Sequence, residues 1–193
     1  IAGPGFLNIK LSKSALLNNI SSIFNNSNLY GSTKSRETYN IEFVSANPTG
    51  PMHVGHCRGA IYGDVLANLL IFNGNKVTKE YYINDYGSQI KNFTESVFLR
   101  IRELKYKEKF INKKDLYPGE YIVTIANNII KDNPKLPFDK FDDSFELLKK
   151  SSLYYSMKLI KNDLQNLGIK HDKYVQESEL VDKDLVAKTI KKL

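Results

Sequence analysis

The sequence predicts an α/β fold, a parallel sheet joined to a mainly helical insertion, and three observations predict it. Between about residues 39 and 106, short runs of β-branched and aromatic residues alternate with longer stretches of helical periodicity. That strand-helix-strand-helix order implies parallel strands joined by right-handed crossovers. Beyond about residue 107 helical spacing takes over, broken by one short extended piece around Tyr174.

The elements follow in order. In "IAGPGFLNIKLS", Phe6, Asn8 and Lys10 alternate with Leu7, Ile9 and Leu11, which predicts a strand over 6–11. A short helix follows with Leu16, Ile20 and Ile23 on one face, and "NNSNLYGSTKSRETYN" breaks the pattern. Residues 1–27 are therefore expected to end a domain whose beginning lies outside the sequence, with 28–38 as a linker. "YNIEFVSA" is the first strand of the alternating region. Residues 55–72 place Ile61, Val65, Leu69 and Phe72 on one helical face, and Asn73 with Gly74 supply the stop. "KVTKEYYIN" is the second strand, and Ile90, Phe93, Val97, Ile101 and Leu104 mark the second helix. Next come a helix starting near Pro118 with Ile122, Ile125, Ala126, Ile129 and Ile130 in register, and a long one over 141–167 carrying Phe145, Leu148, Ser152, Tyr155 and Leu159. A last amphipathic stretch runs through Val186, Ile190 and Leu193; residues 107–193 are expected to form a helical insertion that the sequence cuts short.

Composition narrows the class. No run reaches the ~18 apolar residues of a membrane span and no signal-peptide pattern opens the chain, so no membrane partner is expected and the cytoplasm is the default compartment. The single cysteine, Cys57, excludes an internal disulfide and suits a reducing environment. The net charge of +7 is nearly all lysine, with Arg36, Arg58, Arg100 and Arg102 the only guanidinium groups, which favours a scattered basic surface over a dedicated phosphate-binding face.

Two of the chain's three histidines stand in "ANPTGPMHVGH", in the loop between the first strand and the first helix of the alternating region. In a parallel α/β sheet, ligands bind outside the carboxyl ends of the strands, where helix N-termini present unpaired N–H groups. Two imidazoles there can donate to phosphate oxygens, and Gly55 removes a side chain that would hold a nucleotide away. The pattern suits electrostatic stabilisation of charge on an α-phosphate. A structural role for the histidines is the plain alternative. A zinc site lacks further ligands at suitable reach, so no metal site is expected, and Cys57 lacks the acid-base neighbours of a nucleophile and is expected behind the turn.

His53-Val54-Gly55-His56 resembles the HIGH signature of class I aminoacyl-tRNA synthetases. The surrounding "EFVSANPTGPMHVGHCRGAIYGD" and "EYYINDYGSQI" are similar to arginyl-tRNA synthetases, and "AGPGFLNIKL" resembles the end of that family's additional N-terminal domain. The resemblance spans residues 1 to about 105. It implies the first half of a Rossmann-like nucleotide-binding domain over 39–106, and a connective insertion over 107–193.

The resemblance also implies chemistry: ATP, with Mg2+, as substrate rather than bound cofactor, L-arginine activated to arginyl-adenylate, and transfer to tRNA(Arg). It makes His53 and His56 catalytic, with Pro51, Gly55 and both histidines binding ATP, and puts Glu42, Ser45 and Asn47 in the arginine pocket. A guanidinium substrate needs a carboxylate partner, which Glu42 supplies. Asn84, Asp85, Gly87 and Gln89 follow the second strand at the same sheet edge, as weaker candidates; Asp85 could equally cap the next helix. Some members of the family carry a lysine where this chain has Gly50. Its absence implies reliance on a downstream KMSKS-type loop, which is not among the 193 residues, and "YYSMKLIK" lies within a helix pattern. The isolated chain is therefore expected to be inactive, with most tRNA-binding surface elsewhere and a monomer as the default state. A non-catalytic RNA-binding module and another HxGH adenylyltransferase are the alternatives.

Overall fold

The computed structural model describes residues 3–193. Helix α1 (Lys13–Asn25) is capped by Ser12, whose hydroxyl accepts from the Ala15 N–H at 3.1 Å, and none of its residues is buried. The strand expected over 6–11 does not form: Phe6 makes an isolated bridge and residues 7–12 are exposed and irregular. Alternation alone cannot build a strand that lacks a neighbour with which to share its hydrogen bonds.

Strands β1 (Thr38–Glu42), β2 (Lys76–Ile83) and β3 (Lys173–Gln176) form one parallel sheet in the order β1-β2-β3. Residues 33–37 run alongside the α2–β2 turn: Thr33 and Ser35 bond Asn73, and the Glu37 N–H bonds the Asn75 side chain. β1 is shorter than its apolar run, because Val44 (φ 67°) and Ser45 (φ 40°) leave the extended region. The Ser45 N–H closes a tight turn onto the Phe43 carbonyl at 3.0 Å. A β-branched residue at positive φ is strained, and such strain gathers at functional sites.

Helix α2 (Val54–Phe72) crosses from β1 to β2 with its expected face reversed. Ile61, Val65, Leu69 and Phe72 are exposed, and Ala60, Gly63 and Ala67 are buried instead. Two features decide this. Small residues let the helix lie directly on Phe43, to whose ring carbon Cγ a Cβ on Gly63 would approach within 2.3 Å. On the same side Asp64 and Asn68 take the Lys79 ammonium at 2.7 and 2.8 Å, so turning the helix would leave a half-buried charge unpaired.

The second crossover first builds a helical unit away from the sheet. Helices α3 (Ser88–Tyr106), α4 (Glu120–Asp132) and α5 (Phe141–Asn166) pack on one another, with Phe93, Val97, Ile101, Ile122, Ile125, Ile129, Phe138 and Leu148 as their shared core. α4 starts at Glu120 after an extended Gly119, so Pro118 precedes the helix rather than opening it. Buried Ser144, Ser152 and Ser156 give α5 a narrow contact stripe. The far half of α5 reaches back under the sheet, where Met157, Ile160 and Leu164 join Phe43, Tyr81 and Ile83 in a second core. The final stretch is two short helices, α6 (Glu177–Asp182) and α7 (Leu185–Ile190), separated at Asp184 by a left-handed backbone. Among the described residues no helix is long and apolar enough to cross a membrane.

Candidate functional site

The histidine loop lies where the carboxyl end of β1 meets α2. His53 is the N-cap of α2: its Nδ1 accepts the Gly55 N–H at 3.1 Å, and the His56 Nδ1 accepts the His53 N–H at 3.3 Å. This is a capping box built from two imidazoles, a structural role alongside the phosphate-donor role read from the sequence. The rings stack with centroids 3.7 Å apart. Because each Nδ1 receives a hydrogen, each neutral ring carries its own proton on Nε2, so both Nε2–H groups are available as donors. Burial, and then the charge of His53, hold the His56 pKa below its ordinary value and favour that neutral form. Gly55 serves first to admit the His53 ring: a Cβ there would lie 2.9 Å from that ring's Cε1. Cys57 is half-buried one turn into the helix and pairs with no other cysteine.

The loop before the histidines is held from four sides. The buried Tyr81 hydroxyl donates to the Ala46 carbonyl at 2.8 Å, and its own titration is pushed well above the phenol range by burial. The Met52 N–H donates to Asp163 of α5 at 3.0 Å, Gly50 lies against the Tyr121 ring of α4, and the Asn47 amide donates to Gln89 of α3 at 2.9 Å. Pro51 is exposed at the mouth.

Of the three residues read as the arginine pocket, the structure joins Glu42 and Ser45 directly, while the Asn47 amide turns to Gln89. The Ser45 hydroxyl donates to Glu42 at 2.6 Å and accepts the Tyr82 N–H at 3.0 Å. Tyr82 and Glu177, which sequence reading did not single out, join the group: after burial, the carboxylates of Glu177, Asp85 and Glu42 are what hold the Tyr82 pKa above its ordinary value. Glu177 enters only because β3 pairs with β2, and the parallel extended piece around Tyr174 was the signal that could have found it.

Asp85 differs from the expected cap. α3 is preceded by Gly87, at φ 94°, with no side-chain cap. Asp85 is buried and instead accepts the Ser178 N–H at 2.8 Å, the Ser178 hydroxyl at 2.6 Å and the Gln176 amide at 3.1 Å. It thus fastens the start of α6, an element 93 positions away that local sequence cannot announce. Asn84 is half-buried beside it, while Gly87 and Gln89 are exposed at the head of α3.

With this geometry in place, comparison with known proteins is specific. The family model of tRNA synthetases class I (R), catalytic domain, matches residues 19–127. An arginine–tRNA ligase of Pelagibacter ubique is 56% identical over all of this chain and 34% of its own length. One from Bartonella quintana is 45% identical over 93% of this chain and 31% of its own. The chain thus spans about a third of the length of the curated relatives it matches. A Campylobacter jejuni structure described as an arginyl-tRNA synthetase superposes with a TM-score of 0.80 at 35% identity, covering 89% of this chain and 38% of that one. The Thermus thermophilus arginyl-tRNA synthetase, at 20% identity and a TM-score of 0.56 over 95% of this chain and 30% of that one, shares the fold.

Proposed function

Because the chain belongs to the class I tRNA synthetases (R), catalytic domain, family, we propose that it forms the histidine-bearing part of an arginine–tRNA ligase. The reaction read for it joins the arginine carboxylate to the α-phosphorus of MgATP, breaks the bond to the β-phosphate and releases pyrophosphate. The arginyl group then passes from the adenylate to a hydroxyl at the 3′ end of tRNA(Arg).

The observation that carries this reading is the pair of stacked imidazoles whose Nδ1 atoms are both engaged by the backbone. Their Nε2–H groups, at the positive end of the α2 dipole, form a donor set suited to phosphate oxygens. The neutral form favoured at His56 stabilises charge as it develops without holding the pyrophosphate product as a fixed cation would. Glu42, held by Ser45, supplies the carboxylate for a guanidinium or α-ammonium group, and Asn47, oriented by Gln89, an amide for the substrate's amino or carboxylate group. The roles of Pro51, Gly55 and the residues after β2 belong to this same reading.

The 193 residues alone are read as unable to complete transfer to tRNA, in keeping with the third of the relatives' length that they span. ATP titration of the chain tests the site: His53→Ala and His56→Ala should each weaken ATP binding at least about tenfold. Unchanged affinity in both would remove the phosphate role. Measurable charging of tRNA by the isolated chain would overturn its proposed incompleteness.

A further inference from the structure

The third histidine takes no part in the site above, yet it packs against the residue that leads into the Ser45 turn. β3 begins opposite Glu80, the same β2 residue that faces the end of β1. That stagger brings His171, two positions before β3, alongside Phe43. Its ring centroid is 4.3 Å from that of Phe43 and 5.3 Å from that of Tyr81. It is 4% exposed, and neither ring nitrogen closes a hydrogen bond among the described residues. A phenylalanine would fill the same space without burying two polar nitrogens, so the polarity of the ring calls for an explanation.

One ring nitrogen is drawn to the Phe43 backbone, and because that attraction favours the charged ring, the group it meets is an acceptor, the Phe43 carbonyl. The same carbonyl receives the Ser45 N–H at 3.0 Å and so closes the turn at Val44 and Ser45, both at positive φ. A strained turn of this kind persists only while its surroundings hold it. The charged and titratable groups around the ring are Asp64 on α2, Lys79 and Tyr81 on β2, Asp172 and Tyr174 at β3, and Lys161 and Lys170 at the α5–β3 turn. Asp64 pairs with the Lys79 ammonium at 2.7 Å, and Asp172 accepts the Lys79 N–H at 2.9 Å, so both carboxylates are already engaged. Burial lowers the His171 pKa, the Phe43 carbonyl pulls it partly back and the Lys79 ammonium lowers it again, so the ring is neutral at neutral pH.

We infer that His171 is a positioning residue for the amino-acid pocket: its neutral ring braces Phe43 and the Phe43 carbonyl, and through them the turn that sets Ser45 against Glu42. The role rests on the arginine reading of that pocket given above. A proton added to the ring would place a second buried N–H and a charge beside Lys79, with no free acceptor to meet them. The ring must then leave its place or take a carboxylate from Lys79, and either movement withdraws the brace. The pocket is therefore set at neutral pH and loosens as the pH falls below the ordinary 6.5 through the lowered value.

NMR of the 193-residue chain from about pH 7.5 to about pH 5 tests this, following the ring nitrogens of His171 and the amide signals of Ser45 and Tyr82, with arginine and ATP affinities measured by calorimetry. The two amides should move with the midpoint of His171 rather than with those of His53 and His56. Arginine affinity should fall at least about threefold over that titration. In His171→Phe it should already be weaker by about that factor at neutral pH and lose most of the dependence, with ATP affinity within about twofold of the parent's. A Ser45 amide that stays in place while the ring titrates, a ring that stays neutral to about pH 5, or an arginine affinity in His171→Phe equal to the parent's would overturn the assignment. The NMR titration of the parent decides even if the ring change impairs folding. Absence of arginine binding by the parent at every pH would count against the arginine reading, while the Ser45 amide still decides the brace.

Discussion

The carboxylate of Asp163 accepts the backbone N–H of Met52 at 3.0 Å, so the turn that presents His53 hangs from a helix that the chain reaches 111 positions later. Asp163→Ala strands that half-buried N–H and should cost about 1–3 kcal/mol of stability. ATP binding should weaken with it. Asp163→Asn keeps an accepting oxygen and most of both. Urea unfolding and ATP titration read the two effects, and an unaltered ATP affinity in Asp163→Ala would mean that the loop holds its own shape.

A pH dependence follows from His56. Its pKa lies below the ordinary 6.5 in the folded chain, so the unfolded chain takes up this proton first as the pH falls. The ring's contribution to stability is complete above that ordinary value and is lost as pH drops through it toward the lowered one. Protonation of Nδ1 also breaks the bond to the His53 N–H, so ATP affinity should fall over the same range. His171 shifts in the same direction. The comparison that isolates His56 is therefore the urea midpoint from about pH 7.5 to 5.5 in the parent and in His56→Gln, whose dependence should be shallower.

Gly63 is the point at which α2 touches the sheet. A methyl there would lie 2.3 Å from the Phe43 ring carbon Cγ, and both residues are buried. Gly63→Ala should therefore cost about 1–3 kcal/mol despite the better helix propensity of alanine. Phe43 leads directly into Val44 and Ser45, so arginine binding should suffer as well. A crystal structure or a thermal melt of the variant decides; a rise in Tm would show that the contact relaxes freely.

Glu42 separates the amino-acid pocket from the nucleotide site. Glu42→Gln keeps the acceptor for the Ser45 hydroxyl but removes the charge. Arginine binding should weaken by about 10- to 100-fold, the loss of a charge-assisted contact, with ATP affinity changed less than about threefold. Equal losses for both ligands would mean that the change acts through the loop as a whole.

The parallel order of β1 and β2, the helices α3, α4 and α5, and the position of the histidines at a strand-to-helix turn were all legible, because periodicity and turn chemistry are local. The buried face of α2 was not. Its apolar row is the stronger pattern, but Lys79 needs Asp64 and Asn68 beside it, a demand that comes from another strand. Asp85 was legible as an N–H acceptor but not in its target, since Ser178 arrives only with β3. The second role of His53 and His56, bonding the backbone through Nδ1, was hidden because histidine is not an ordinary capping residue.

The 26 residues of α5 make a rod about 39 Å long. One end is set in the helical core by Leu148, and the other bears on the sheet through Ile160 and on Met52 through Asp163. No proline or glycine interrupts it to serve as a hinge. It is a continuous strut between the two cores, and Asp163, set between Ile160 and Leu164, ties the histidine turn to the point where that strut is seated on the sheet.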